Sequence, residues 1–133
     1  MSELKIDPAE SGKITNKSRV RDPGIPPNAF LVINNQVVPL LRRETRIGRK
    51  LDNDLVIQDV LVSREHAKVV YEDSQFVAYD LESTGGTFIN DKKITKGVLY
   101  PGDQLSLSSV TVTFVHNAPG IQNQASKRTG SLS

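Results

Sequence analysis

Cysteine is absent from the 133 residues. That excludes disulfides and thiolate metal sites, and it agrees with a reducing compartment. Long apolar runs are missing too: no stretch approaches the roughly 20 residues that a membrane helix needs, so no membrane partner is expected. The opening residues, Met-Ser-Glu-Leu-Lys-Ile-Asp-Pro, hold no apolar segment of the signal-peptide kind. Nothing there marks the chain for export, and a cytoplasmic location is the expectation. Also lacking is an excess of one charge, since 17 basic residues stand against 15 acidic ones. Generic nucleic-acid binding draws on a clear basic surplus and is not expected. Any anion recognised here must be met by a few placed residues.

Helical periodicity is the last absence, for no window of helical length carries a convincing apolar stripe. What is present reads as strand. Ala29 to Ile33 and Gln36 to Leu40 flank Asn34-Asn35, side chains that tolerate the positive φ of a tight hairpin. Arg42 to Ile47 and Leu55 to Ile57 follow. Ala67 to Tyr71 and Gln75 to Leu81 flank the polar turn Glu72-Asp73-Ser74, and Thr87 to Ile89 and Ile94 flank Asn90-Asp91. In the last element Val110, Val112 and Phe114 alternate with Thr111 and Thr113, a period of two that gives one core face and one solvent face. Many short strands with turn residues between them indicate an all-β sandwich or barrel.

Composition divides the chain in three. Residues 1–28 are polar and end in the stiff Pro23-Gly24-Ile25-Pro26-Pro27 stretch, and residues 117–133 are small and polar. Both read as flexible tails, because neither buries enough apolar surface to offset the entropy of ordering. Residues 29–116 are left as one domain.

Four loop motifs adjoin the strands: Gly48-Arg49, Asn53-Asp54-Leu55-Val56-Ile57, Ser63-Arg64-Glu65-His66-Ala67, and the run from Asp80 to Asn90, which contains Ser83-Thr84-Gly85-Gly86-Thr87. A sandwich can gather such loops at one end. Arg49 and Arg64 would then supply guanidinium forks, Ser63 and Thr84 hydroxyls, and Gly85-Gly86 a backbone open to close approach. That collection suits a dianionic phosphate. Enzyme readings lack their parts. Ser63 and His66 have no nucleophile elbow and no evident third member. Ser83-Thr84-Gly85-Gly86 is not a P-loop. Asp52, Asp54 and Asp59 lack calcium-loop spacing, and two histidines without cysteine make a poor zinc set. No catalysis, metal or cofactor is expected.

The order Gly-Arg, Asn-Asp-apolar, Ser-Arg-x-His, Ser-Thr-x-Gly-Thr-Phe-x-Asn resembles the signature of forkhead-associated (FHA) domains over Gly48 to Asn90, with flanking strands extending the likeness over roughly Phe30 to Val115. The resemblance implies a β-sandwich of about eleven strands whose loops bind phosphothreonine peptides downstream of Ser/Thr kinases. It implies phosphopeptide contacts from Arg49, Ser63, Arg64, Thr84 and Gly85, and structural support of the site from Gly48, His66, Gly86, Thr87 and Asn90. Leu61 would stand in the specificity loop, and apolar Val60, Leu61 and Val62 imply an aliphatic preference three residues after the phosphothreonine.

One departure stands out. Gly85 occupies a place where the family commonly has asparagine, which usually hydrogen-bonds the peptide backbone; losing one such bond costs about 0.5–1.5 kcal/mol. Gly85 therefore keeps a second reading open, a phosphate-independent scaffold with a diverged site. Thr129, following Lys127-Arg128 and three residues before Leu132, and Thr15 are candidate phosphothreonines within the chain itself, through which it would self-associate.

Overall fold

The computed structural model describes residues 20–117. Thr15, Lys127, Arg128, Thr129 and Leu132 lie outside the described residues. Eleven strands run in chain order as β1 (Ala29–Ile33), β2 (Gln36–Pro39), β3 (Glu44–Gly48), β4 (Leu55–Val56), β5 (Ala67–Glu72), β6 (Gln75–Asp80), β7 (Thr87–Ile89), β8 (Lys92–Ile94), β9 (Lys96–Leu99), β10 (Gln104–Leu107) and β11 (Val110–His116). They form a six-stranded sheet, β2-β1-β11-β10-β7-β8, and a five-stranded sheet, β4-β3-β5-β6-β9. Every pairing is antiparallel except that of β3 with the two-residue β4.

Alternation along the strands sets the inner faces. Leu31, Ile33, Leu105, Leu107, Val112 and Phe114 from one sheet meet Ile47, Ala67, Val69, Phe76, Ala78 and Leu99 from the other, all buried. Phe76 and Phe114 meet across the gap with centroids 5.4 Å apart and planes tilted 56°, a geometry aromatic quadrupoles favour. The hairpins turn where short polar side chains accept positive φ: Asn34 at 53°, Asp73 and Ser74 at 51° and 63°, Asn90 and Asp91 at 49° and 72°, and Ser108 at 57°. Of the Asn34-Asn35 pair, only Asn34 takes that conformation.

Strand register fixes which loops meet. Ile47 pairs with Ala67 and Ala67 with Asp80, so the loops after β3, before β5 and after β6 leave the five-stranded sheet side by side. Leu107 pairs with Thr87, which brings the β10–β11 turn to the same end. The start of β1 and the end of β11 lie together at the opposite end, where the Asn117 amide donates to the Asn28 carbonyl at 3.0 Å.

The N-terminal boundary at residue 28 needs correction. Ile25 is only 3% exposed and belongs to the core. The segment before it is tied down as well: the Asp22 amide donates to the Leu41 carbonyl at 2.7 Å, and the Arg42 guanidinium donates to the Val20 carbonyl at 2.9 Å. A lone isoleucine among prolines carries no periodicity, which is why it reads as tail. Strands β9 and β10 are additions that the sequence reading did not include.

Ile25→Ala should destabilise the domain by about 2–5 kcal/mol, the usual range for emptying a buried isoleucine site. Urea unfolding followed by circular dichroism would check this. A midpoint equal to wild type would mean that Ile25 is not part of the working core.

Candidate functional site

Strand β3 delivers Gly48 and Arg49 to the loop end. A Cβ on Gly48 would lie 2.2 Å from the Arg64 carbonyl oxygen and 2.8 Å from Asn53 Nδ2, so the two loops approach this closely only because the side chain is missing. Asn53 Nδ2 donates to the carbonyls of Lys50 at 2.9 Å and Arg64 at 2.8 Å. The amides of Arg49 and Lys50 donate to the carbonyls of Ser63 at 3.0 Å and Arg64 at 3.2 Å.

His66, fully buried, joins this pair of loops to the third. Its Nδ1 accepts the Ser63 amide at 3.0 Å. That acceptance assigns the ring proton to Nε2, which donates to the Gly86 carbonyl at 2.8 Å. Its own amide donates to the Ile47 carbonyl at 3.0 Å, and its carbonyl accepts the Leu81 amide at 2.9 Å. With both ring nitrogens engaged by backbone, and Ser63 bonded to the ring through its amide rather than its hydroxyl, these residues form no nucleophile–base pair.

The loop after β6 is organised by Asp80, which the sequence reading left without a role. One carboxylate oxygen accepts the hydroxyls of Ser83 at 2.5 Å and Thr87 at 2.6 Å, and the other accepts the Ser83 amide at 3.2 Å. Ser83 Oγ in turn accepts the Gly86 amide at 3.0 Å. Burial pushes the Asp80 carboxyl up, but the Ser83 and Thr87 hydroxyls and the Ser83 amide outweigh it, holding the group below the ordinary 3.8. Thr87 is fully buried, and Gly86 takes a φ of +89°, a left-handed conformation that suits glycine.

Around this frame stand groups whose bonding capacity is left open. Arg49 Nε donates to the Val62 carbonyl at 2.9 Å, which pins the guanidinium while both Nη groups have no partner among the described residues. No described carboxylate lies within ion-pair distance of Arg49 or Arg64, both exposed. Ser63 Oγ accepts the Thr84 amide at 3.0 Å, so its own proton is available to another acceptor. Thr84 and Gly85 are exposed. The aliphatic end of Lys93, on β8, lies 3.2 Å from where a Gly86 Cβ would be, adding a cation that the motifs did not single out. Among the described residues no three His, Asp or Glu side chains gather as a metal site. The arrangement gathers placed donors and positive charge without an acid partner on a hydrogen-bonded frame, a chemistry that suits an anion.

One residue of the motifs sits away from the loop end. Asn90 is at the far end of β7, where its Nδ2 donates to Asp103 at 3.0 Å and its Oδ1 accepts the Gln104 amide at 2.9 Å. It braces the β7–β8 turn against β10, not the anion-facing loops. The Val60-Leu61-Val62 triplet is split: Val60 and Leu61 are 87% and 57% exposed, whereas Val62 is fully buried.

A family model for the FHA domain matches residues 45–108. The glycogen accumulation regulator GarA of Mycobacterium tuberculosis is 32% identical over 121 residues, covering 86% of this chain and 73% of GarA. The solved structure of Mycobacterium tuberculosis EmbR in complex with a low affinity phosphopeptide is similar at a TM-score of 0.67 and 32% identity, over 75% of this chain and 27% of that one. A structure from work on phosphothreonine-dependent FHA domain interactions aligns at a TM-score of 0.64 over 68% of this chain and 97% of its own; at 24% identity, that likeness speaks for the fold alone.

The depressed Asp80 carboxyl has a consequence for stability. Its contribution is present above the unfolded-state value and is lost as pH falls through the lower folded-state value. Asp80→Asn should therefore cost about 1–3 kcal/mol at neutral pH, with the gap to wild type narrowing below roughly pH 4. Urea midpoints across that range test it, and a gap independent of pH would remove Asp80 from this role.

Proposed function

We propose, from the premise that this chain belongs to the FHA domain family, that it is a phosphothreonine-peptide-binding module acting downstream of a Ser/Thr protein kinase. It binds and does not catalyse. The observation that carries this reading is the pinned but unpaired Arg49 guanidinium beside a Ser63 hydroxyl with a proton to give. Arg49 would take two phosphate oxygens through its Nη groups. Ser63 and Thr84 would donate hydroxyls, Arg64 would lie along the peptide or phosphate, and Gly85 would let the peptide main chain pass closely. A phosphate ester carries close to two charges at neutral pH, which makes such charge-assisted bonds strong. Val60 and Leu61, exposed together beside Ser63, support an aliphatic preference three residues after the phosphothreonine.

The partners in this proposal are phosphorylated proteins, with no nucleic acid and no membrane surface, and the location is cytoplasmic. Among the described residues no helix is long and apolar enough to cross a membrane. Self-association through phosphorylated threonines of the chain itself belongs to the same proposal, and anchoring geometry separates the two candidates. Val20 is held by Arg42 at the end remote from the site. Thr15 stands five residues before it, and that much extended chain reaches about 18 Å. The seven residues of β11 alone span about 24 Å, so a phosphorylated Thr15 would serve a neighbouring molecule. Thr129, twelve residues past Asn117, has about 42 Å of reach and could serve its own.

The second reading is a phosphate-independent scaffold. An open groove of about 850 Å³ between the β1–β2 turn, the exit from β4 and the β10–β11 turn favours it, with Ile33, Val56, Ile57 and Val110 in its lining. Loss of partner binding after phosphatase treatment would set that reading aside.

A degenerate phosphothreonine peptide library, with phosphoserine and unphosphorylated controls, should bind wild type only in the phosphothreonine form. Arg49→Ala should lose about 2–5 kcal/mol of affinity, and Ser63→Ala about 1.5–3 kcal/mol, by fluorescence anisotropy. Binding that ignores the phosphate, or survives Arg49→Ala unchanged, would give the scaffold reading its place.

A further inference from the structure

Gly85 has an unusual neighbour. A Cβ built on it would lie 2.5 Å from Ser108 Oγ and 2.8 Å from Ser108 Cβ, so the two positions cannot both carry side chains in this geometry. The Ser108 hydroxyl already fills the space into which a side chain at position 85 would start. Ser108 is held there by its amide, which donates to the Gly86 carbonyl at 2.9 Å, and by the pairing of Leu107 with Thr87. Its φ of +57° is that of the tight β10–β11 hairpin turn in which it sits. Ser108 Oγ has no hydrogen-bond partner among the described residues, although a hydroxyl can donate once and accept twice.

We propose that Ser108, on the β10–β11 turn, is a ligand-contacting residue whose hydroxyl hydrogen-bonds the main chain of the bound phosphopeptide beside its phosphothreonine, in place of the side chain that Gly85 lacks. The inference rests on the phosphothreonine reading above. With the phosphate held by Arg49, Ser63 and Thr84, the adjoining peptide unit passes over Gly85, one residue along the loop. No side chain meets it from position 85. The hydroxyl that lies against that place from outside the loop is that of Ser108. The binding surface then has four loop contributions rather than three, and the departure at Gly85 is compensated from a different part of the chain.

Anisotropy with the tightest phosphothreonine peptide from the library tests this on the full chain. Ser108→Ala keeps the Cβ and removes only the hydroxyl, so affinity should fall about three- to tenfold, the worth of one hydrogen bond, while the unfolding midpoint stays put. Gly85→Asn alone should weaken binding, because its Cβ collides with Ser108. Adding Ser108→Gly should restore binding to within a few-fold of wild type, a coupling that additive effects cannot give. If the peptide binds wild type and fails with Arg49→Ala, yet Ser108→Ala binds as wild type does, the phosphothreonine reading stands and the role of Ser108 is overturned. If no library peptide binds wild type, both fall together.

Discussion

His66 is the point on which the loop end depends. It is fully buried, and its two ring nitrogens answer backbone groups in two different loops, Ser63 N–H and Gly86 C=O. Its own main chain answers Ile47 and Leu81. Each buried backbone group left unanswered costs about 1–3 kcal/mol, so the imidazole is a covalent-length spacer that the loops cannot exchange for water without penalty. Through it, the position of Ser63 is tied to that of Gly86. The hydroxyls and amides near the anion-facing surface inherit a fixed separation from a side chain that never reaches that surface.

Electrostatics then decide what the surface is good for. Three lysines and two arginines on this domain stand near acids: Lys50 near Asp52 and Glu65, Arg46 and Lys68 near Glu44, Lys96 near Glu72, and Arg42 near Asp22. Exposed pairs of that kind contribute little to stability, about 0–1 kcal/mol each, but they leave little charge over for a ligand. Arg49 and Arg64, at the ends of the loops that His66 braces, have no acid within ion-pair distance among the described residues. The acidic residue nearest in function, Asp80, turns its oxygens inward to Ser83 and Thr87 and orders the loop without facing the anion. Residues 20–117 carry 11 basic against 12 acidic side chains, so an anion here is met by placed donors rather than by a basic surplus.

Legibility in the sequence followed locality. Strands β1 and β7 were readable to the residue, because alternation and short polar turns are local signals. Strands β9 and β10, one in each sheet, were not. Gly97 weakens the strand pattern of β9, and its absence of a side chain makes sense only beside Ile89, whose Cδ1 would lie 2.9 Å from a Cβ there. In β10, Gln104-Leu105-Ser106-Leu107 does alternate, but it is too short to stand out without its partners β7 and β11. Motif spacing placed Arg49, Ser63, Thr84 and His66 among neighbours at one end, and the structure brings them together. It could not place Asn90, which shares a motif with them yet lies a strand's length away. Nor could it show that Ile25 reaches the core or that Ser108 overlies Gly85, since both relations join residues distant in sequence.

The most direct test of the account is residue-resolved amide and arginine side-chain NMR of the full chain, titrated with a phosphothreonine peptide and with its unphosphorylated twin. The account predicts shifts centred on Arg49, Ser63, Thr84 to Gly86 and Ser108, including the Arg49 Nε–H signal, with the phosphorylated peptide alone. Shifts that appear equally with both peptides, or that gather instead at Ile33, Val56 and Val110 along the open groove, would contradict it.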